Sequence, residues 1–161
     1  LARAGEGEIG RPHFAALLVE KGVVRSVEEA FERYLRKGAP AYVPKARLAP
    51  EEAFSAIRAA GGLPVLAHPV HLKLSAEELT RYVAGLKEMG LEGLEAYYTD
   101  HSREFTTLCL DLARRYDLVP TGGSDFHGHN KPDIKLGRGF GNLTVPDECY
   151  RRLRERWEHQ K

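Results

Sequence analysis

The segment Gly122-Gly123-Ser124-Asp125-Phe126-His127 sets a carboxylate and an imidazole two residues apart on a glycine-softened turn, directly after the apolar run Leu118-Val119-Pro120-Thr121. Aspartate and neutral histidine are the oxygen and nitrogen donors that suit divalent zinc, manganese or iron. An i, i+2 pair in an extended turn can aim both at one ion. A second segment has the same build, because Leu63-Pro64-Val65-Leu66-Ala67 runs straight into His68-Pro69. Two apolar strands that each end in potential metal ligands point to a metal-dependent site made by His68, Asp125 and His127.

Each of these residues also has a use without chemistry. His68-Pro69 can end a strand with its imidazole capping a carbonyl, and Asp125 can close a turn through its own side chain. Agreement between the two segments is what favours ligation. Glu95, inside a strand pattern, reads as structural. Asp100 and His101 follow that strand and read as loop surface, while His71 and His129 flank the ligand segments by sequence position alone.

The elements that must position these residues follow from periodicity. Phe14, Leu17 and Leu18 have helical spacing within 13–21, ending near Gly22. Ser26 and Glu29 form a capping box for a second helix whose stripe is Val27, Ala30, Phe31, Tyr34 and Leu35. This pair is too short to hold a core of its own, and residues 1–46 read as a linker with a helical lid or insertion. From 47 to 161 the pattern alternates. A helix from Pro50 ends at Gly61-Gly62 and is followed by a strand over 63–67. The helix capped by Ser75 and Glu78 precedes a strand near 93–97, and the helix from Ser102 precedes a strand over 118–121. A glycine-punctuated loop then leads to a last helix with Tyr150, Leu153 and Trp157 inward. Such spacing fits βαβ crossovers and a parallel sheet, an α/β class in which ligands gather at the carboxyl ends of the strands.

Composition narrows the function further. The 161 residues carry 24 basic and 23 acidic side chains, dispersed along the chain, for a net charge of +1. No broad polyanion-binding surface is evident, which argues against extended DNA binding and leaves room for a local anion pocket. Only Cys109 and Cys149 are present, the first on an apolar helical stripe, so a reduced, cytoplasmic protein is expected. No apolar run approaches the roughly 20 residues that span a bilayer.

Gly10-Arg11-Pro12-His13-Phe14, Tyr34-Leu35 with Pro40-Ala41-Tyr42-Val43-Pro44, Ala60-Gly61-Gly62, Ala67-His68-Pro69, Gly93-Leu94-Glu95 and Gly123-Ser124-Asp125-Phe126-His127 together resemble one family. It is the PHP (polymerase and histidinol phosphatase) metallophosphoesterases, in the branch of nucleoside 3′,5′-bisphosphate phosphatases and short-RNA 5′-exonucleases. The resemblance implies part of a distorted (β/α)7 barrel with up to three divalent ions (Mn, Zn or Fe), for which His68, Asp125 and His127 are ligands. It implies Arg11, His13 and Lys45 as substrate-phosphate contacts, a small phosphorylated nucleotide or short RNA as substrate, and hydrolysis by metal-activated water. The family's other ligand motifs would precede Leu1, so the chain is expected to be the C-terminal portion of a longer enzyme, paired with an N-terminal half of the barrel and inactive alone. Histidinol-phosphate phosphatase activity and a noncatalytic interaction module are the alternatives.

Overall fold

The computed structural model describes residues 10–44, 48–128 and 131–160. The chain divides into two compact units, 1–47 and 48–161. In the first, α1 (Arg11–Glu20) begins where Pro12 has no N–H to lose. The N–H of Gly10 donates to His13 Nδ1 at 3.0 Å. A second helix, α2 (Val27–Ala30), is capped by Ser26, whose Oγ accepts from the Glu29 N–H at 3.1 Å, and it runs into a π-helical turn over Phe31–Leu35. The reciprocal half of the expected capping box goes elsewhere, because Glu29 accepts from the N–H of Arg25 and pairs with Arg33. Ala15, Val24, Ala30 and Leu35 are buried together, with Leu18, Val19, Phe31 and Tyr34 packed around them. The unit therefore has a small core of its own. Expected stripe members Phe14 and Leu17 lie on its exposed side, because the small Ala15 is the α1 residue that fits the close contact.

The second unit alternates as its sequence predicts: α3 (Pro50–Ala59), β1 (Val65–Leu66), α4 (Ala76–Glu88), β2 (Gly93–Tyr98), α5 (Arg103–Arg115), β3 (Val119–Gly123) and α6 (Asp147–Glu158). Serines at 75 and 102 cap α4 and α5, accepting from the N–H groups of Glu78 and Phe105. Among the described residues the three strands form one open parallel sheet in the order β1-β2-β3. Its register pairs Val65 with Gly93, and Gly93 with Val119. Leu79, Val83 and Leu86 of α4, Leu94 and Ala96 of β2, and Cys109, Leu112 and Ala113 of α5 make the main core, with Phe54, Leu91 and Leu118.

Two departures matter for the site. The β2–β3 ladder slips at Ala96, so that Glu95 pairs with Thr121 but Tyr97 with Gly122 and Tyr98 with Gly123. This bulge re-aims the end of β2, and β3 runs on to Gly123, two residues past its expected end. Gly122 is required at the slip, where an added Cβ would meet the Tyr97 backbone oxygen and Cβ at 2.7 Å. The second departure is α6. Tyr150 is 67% exposed, and with Leu153 and Trp157 it lines an open apolar groove beside Leu63 and Val65. Of the expected inner face of α6, Tyr150 is thus exposed while Leu153 is partly buried and Trp157 donates to the Gly61 carbonyl, and Cys149 is the buried position.

Candidate metal centre

Parallel order puts the ends of β1, β2 and β3 on one rim. His68 follows β1, Tyr98 ends β2, and Asp125 and His127 follow β3. His68 and Asp125 both adopt left-handed backbone, with φ of 35° and 54°, a region that residues with a Cβ use sparingly and that clusters at functional sites. Pro69, buried behind His68, opens a 3-10 turn over Pro69–Leu72 that carries His71.

Asp125 is the hub. Its Oδ1 lies 2.9 Å from His127 Nε2. Its Oδ2 accepts from the Tyr98 hydroxyl at 3.1 Å and from the Lys131 ammonium. The Lys131 contact first, with help from Tyr98 and His127, holds the carboxyl down to about 2, against the pull of burial. Glu95 works on the neighbouring ligand. Its Oε2 accepts the backbone N–H of His68 at 2.6 Å, and Gly123 leaves it room, since a Cβ there would stand 3.1 Å from Oε1. Burial pushes the Glu95 carboxyl up against the pull of that N–H, and the Asp125 charge adds to the rise.

The rings on the rim pack in series. His68 and His71 centroids are 5.3 Å apart, His71 and Tyr98 5.6 Å, Tyr98 and His101 5.2 Å, and His101 and Phe105 4.7 Å. His101, expected on a loop surface, is half-buried instead. Its Nδ1 stands 2.9 Å from the Ala96 carbonyl, the bulged residue, and its Nε2 is buried without a hydrogen-bond partner. Burial lowers its basicity. Asp100 is exposed, as expected for a loop.

The structure therefore brings Asp125 and His127 together and sets His68 on the same rim. Their carboxylate and imidazole donors fit a divalent first-row ion in chemistry. They fall short in number, for among the described residues no group of three or more His, Cys, Asp or Glu is arranged to hold a metal. The three-ligand convergence expected of His68, Asp125 and His127 is not among the described arrangements.

Of the expected phosphate contacts in the first unit, Arg11 and His13 are already engaged. Arg11 lies 5.9 Å from the ring centroids of both Phe31 and Tyr42 and donates to the Leu35 carbonyl at 3.4 Å. His13 caps α1 through Gly10. Lys45 and His129 lie outside the described residues. Sequence reasoning missed Tyr98 and Lys131. Tyr98 was invisible because a bulge decides where it points, and Lys131 because only its place six residues past Asp125 in a glycine-rich loop marked it.

No family model matches the chain. Its sequence is 39% identical over 132 residues to the 5′–3′ exoribonuclease Rnm of Escherichia coli, covering 82% of this chain and 45% of that protein. It is 34% identical over 142 residues to the 3′,5′-nucleoside bisphosphate phosphatase of Chromobacterium violaceum, covering 88% of this chain and 48% of that one. Among solved structures, one assigned provisionally as a metal-dependent phosphoesterase of Bifidobacterium adolescentis superposes with a TM-score of 0.65 and 34% identity, over 96% of this chain and 54% of the other. An amidohydrolase of Chromobacterium violaceum, with sulfate bound and no metal, gives 0.61 and 31%, over 92% and 51%. The chain spans about half the length of the curated relatives it matches. Sequence and fold agree: over about half the length of each, the chain is similar to an exoribonuclease, a nucleoside bisphosphate phosphatase and a metal-dependent phosphoesterase structure, in line with the resemblance its motifs carry.

Proposed function

We propose that this protein hydrolyses phosphate esters of small nucleotides, nucleoside 3′,5′-bisphosphates or the 5′ ends of short RNA, with the help of divalent metal ions. One observation carries the reading: an Asp125–His127 pair on the carboxyl rim of a parallel sheet, in a chain homologous to an exoribonuclease and a bisphosphate phosphatase. In this proposal Asp125 and His127 hold one ion and His68 contributes to the same rim, within a barrel of which β1, β2 and β3 are a part. A bound ion supplies a Lewis acid and a water acidic enough to lose its proton near neutral pH.

The chain's own residues do the rest. Asp125, held ionised far below neutral pH, offers a carboxylate without a proton to displace. Lys131 brings an ammonium beside it, where a phosphoryl dianion needs a positive charge. Glu95 fixes the strained backbone of His68 through its N–H, so the imidazole is presented from one conformation. Arg11, His13 and Lys45 are proposed as contacts for the phosphate that is not cleaved, with residues 1–46 as a helical lid. For Arg11 this requires exchanging the Leu35 carbonyl for phosphate oxygens, a better match for a guanidinium fork.

The test is phosphate release by the full-length protein with Mn2+, from a nucleoside 3′,5′-bisphosphate, a 5′-phosphorylated short RNA and histidinol phosphate in parallel. Turnover of the first two is the expected result. Preference for histidinol phosphate would replace the substrate assignment, and no metal-dependent turnover of any of them would favour a noncatalytic module.

A further inference from the structure

β2 supplies neither of the paired ligands, yet its last residue reaches one of them. Tyr98 is 3% exposed. Its hydroxyl lies 3.1 Å from Asp125 Oδ2 and 3.0 Å from His71 Nε2. A phenol has one proton to give, and an ionised carboxylate can only accept. The proton therefore points at Asp125, and His71 must present Nε2–H to the phenolic oxygen. The resulting order is His71 Nε2–H to Tyr98 Oη, and Tyr98 O–H to Asp125 Oδ2.

We infer that Tyr98 is a positioning residue for Asp125, with His71 setting the direction of its hydroxyl proton. This rests on the reading of Asp125 as a metal ligand. Three features of the fold support it. The β2 bulge pairs Tyr98 with Gly123, two residues before Asp125, and without the slip the side chain at 98 would turn to the opposite face of the sheet. The ring is boxed by imidazoles, with centroids of His71 at 5.6 Å, His101 at 5.2 Å and His68 at 6.0 Å, so few rotamers are open to it. His71 sits on the 3-10 turn that directly follows His68, so the chain of hydrogen bonds ties the ligand loop after β1 to the ligand loop after β3. A carboxylate on left-handed backbone, held at Oδ2 by Tyr98, keeps Oδ1 on the side of His127. Such outer partners orient ligands and set their affinity for metal.

Mn2+ binding to the full chain, followed by calorimetry, tests the inference. Wild type, Tyr98→Phe, His71→Ala, the double variant and Asp125→Asn are compared, with thermal unfolding as a check that each is folded. Phe keeps the ring and removes only the hydroxyl. Tyr98→Phe should weaken binding by roughly ten-fold or more. His71→Ala should weaken it less, and the double variant should match Tyr98→Phe alone, because His71 acts only through that hydroxyl. Nitrogen-15 spectra of the metal-free wild type should show His71 as the Nε2–H tautomer. Wild-type affinity in Tyr98→Phe, additive losses in the double variant, or an Nδ1–H tautomer would each overturn the positioning role while leaving Asp125 as a ligand. A wild-type chain that binds no Mn2+, or an Asp125→Asn variant that binds it unchanged, would remove the ligand reading and the positioning role together.

Discussion

The two ends of the three-stranded sheet use charge in opposite ways. At the amino ends of the strands, helix side chains cap the loops that lead in. Arg156 of α6 donates to Glu92 and to Asp117 at 2.9 Å each, and Lys87 of α4 donates to the Asp117 carbonyl at 3.2 Å. Arg58 of α3 donates to the Gly90 carbonyl at 3.1 Å, and the Trp157 indole to that of Gly61 at 2.7 Å. Each helix reaches a loop it does not itself connect, and charges meet their opposites. At the carboxyl ends the groups converge on one another instead. Asp125 collects three donors, Glu95 is kept half-buried with a raised pKa, and His101 leaves a nitrogen unpaired. One end spends its polar groups on holding the sheet, and the other keeps them on a site; the same division runs through parallel α/β folds.

The comparison is broken most directly by exchanging one residue at each end. His127→Ala in the full-length protein should abolish metal-dependent phosphate release, by roughly 100-fold or more, since loss of an outer partner alone costs 10- to 100-fold. Its unfolding temperature should stay near that of wild type, because the His127 side chain is 54% exposed. Arg156→Ala should do the reverse, lowering stability in denaturant titration by about 1.5–3 kcal/mol, the range for hydrogen bonds to charged groups, with kcat retained. Undiminished turnover in the first variant would discard the ligand assignment. A turnover loss in the second as large as in the first would end the division between the two rims.

A smaller effect sharpens the picture of the carboxyl rim. Lys131 is the first cause of the low Asp125 pKa, so Lys131→Met should raise it from about 2 toward the ordinary 3.8, as read from the carboxyl carbon-13 shift during acid titration. The sign for stability follows. A depressed carboxyl contributes stability above its unfolded pKa and loses it as pH falls through the folded one, so the metal-free wild type keeps this contribution further into acid than the variant does. An unmoved Asp125 titration would show that the ammonium contact is not formed in solution.

How far the sequence could reach differs between the same two ends. Serine caps, glycine stops and apolar periodicity placed α4, α5 and the three strands, because those signals are local. The strand ends at His68 and at Asp125 with His127 were legible for the same reason, as ligand types beside a turn. Glu95 was read as structural, and it supports His68 through one backbone N–H. What stayed hidden was whatever depended on register. A slip at Ala96 decides where Tyr98 points and gives His101 a carbonyl to bind, and no residue type announces a slip. Tyr150 on the expected inward stripe of α6 is exposed for a related reason: periodicity says which residues share a face, and tertiary packing says how far each is covered.

The smallest effect probes α6, the element that carries the Arg156 ion pairs of the amino end. Cys109 is fully buried in the main core and burial pushes its thiol up to about 12; Cys149 on α6 is also buried and raised, chiefly by burial. At pH 8 neither is appreciably thiolate while folded, so labelling by a disulfide reagent reports opening of the structure rather than surface chemistry. Because α6 borders an open apolar groove, Cys149 should label faster than Cys109, whose exposure requires parting α5 from β2 and α4. Arg156→Ala frees the carboxyl end of α6 from Glu92 and Asp117, and should speed Cys149 labelling several-fold more than Cys109 labelling. Equal acceleration of both thiols would mean that α6 and the sheet open as one cooperative unit, and that the amino-end ion pairs hold the whole unit rather than its last helix.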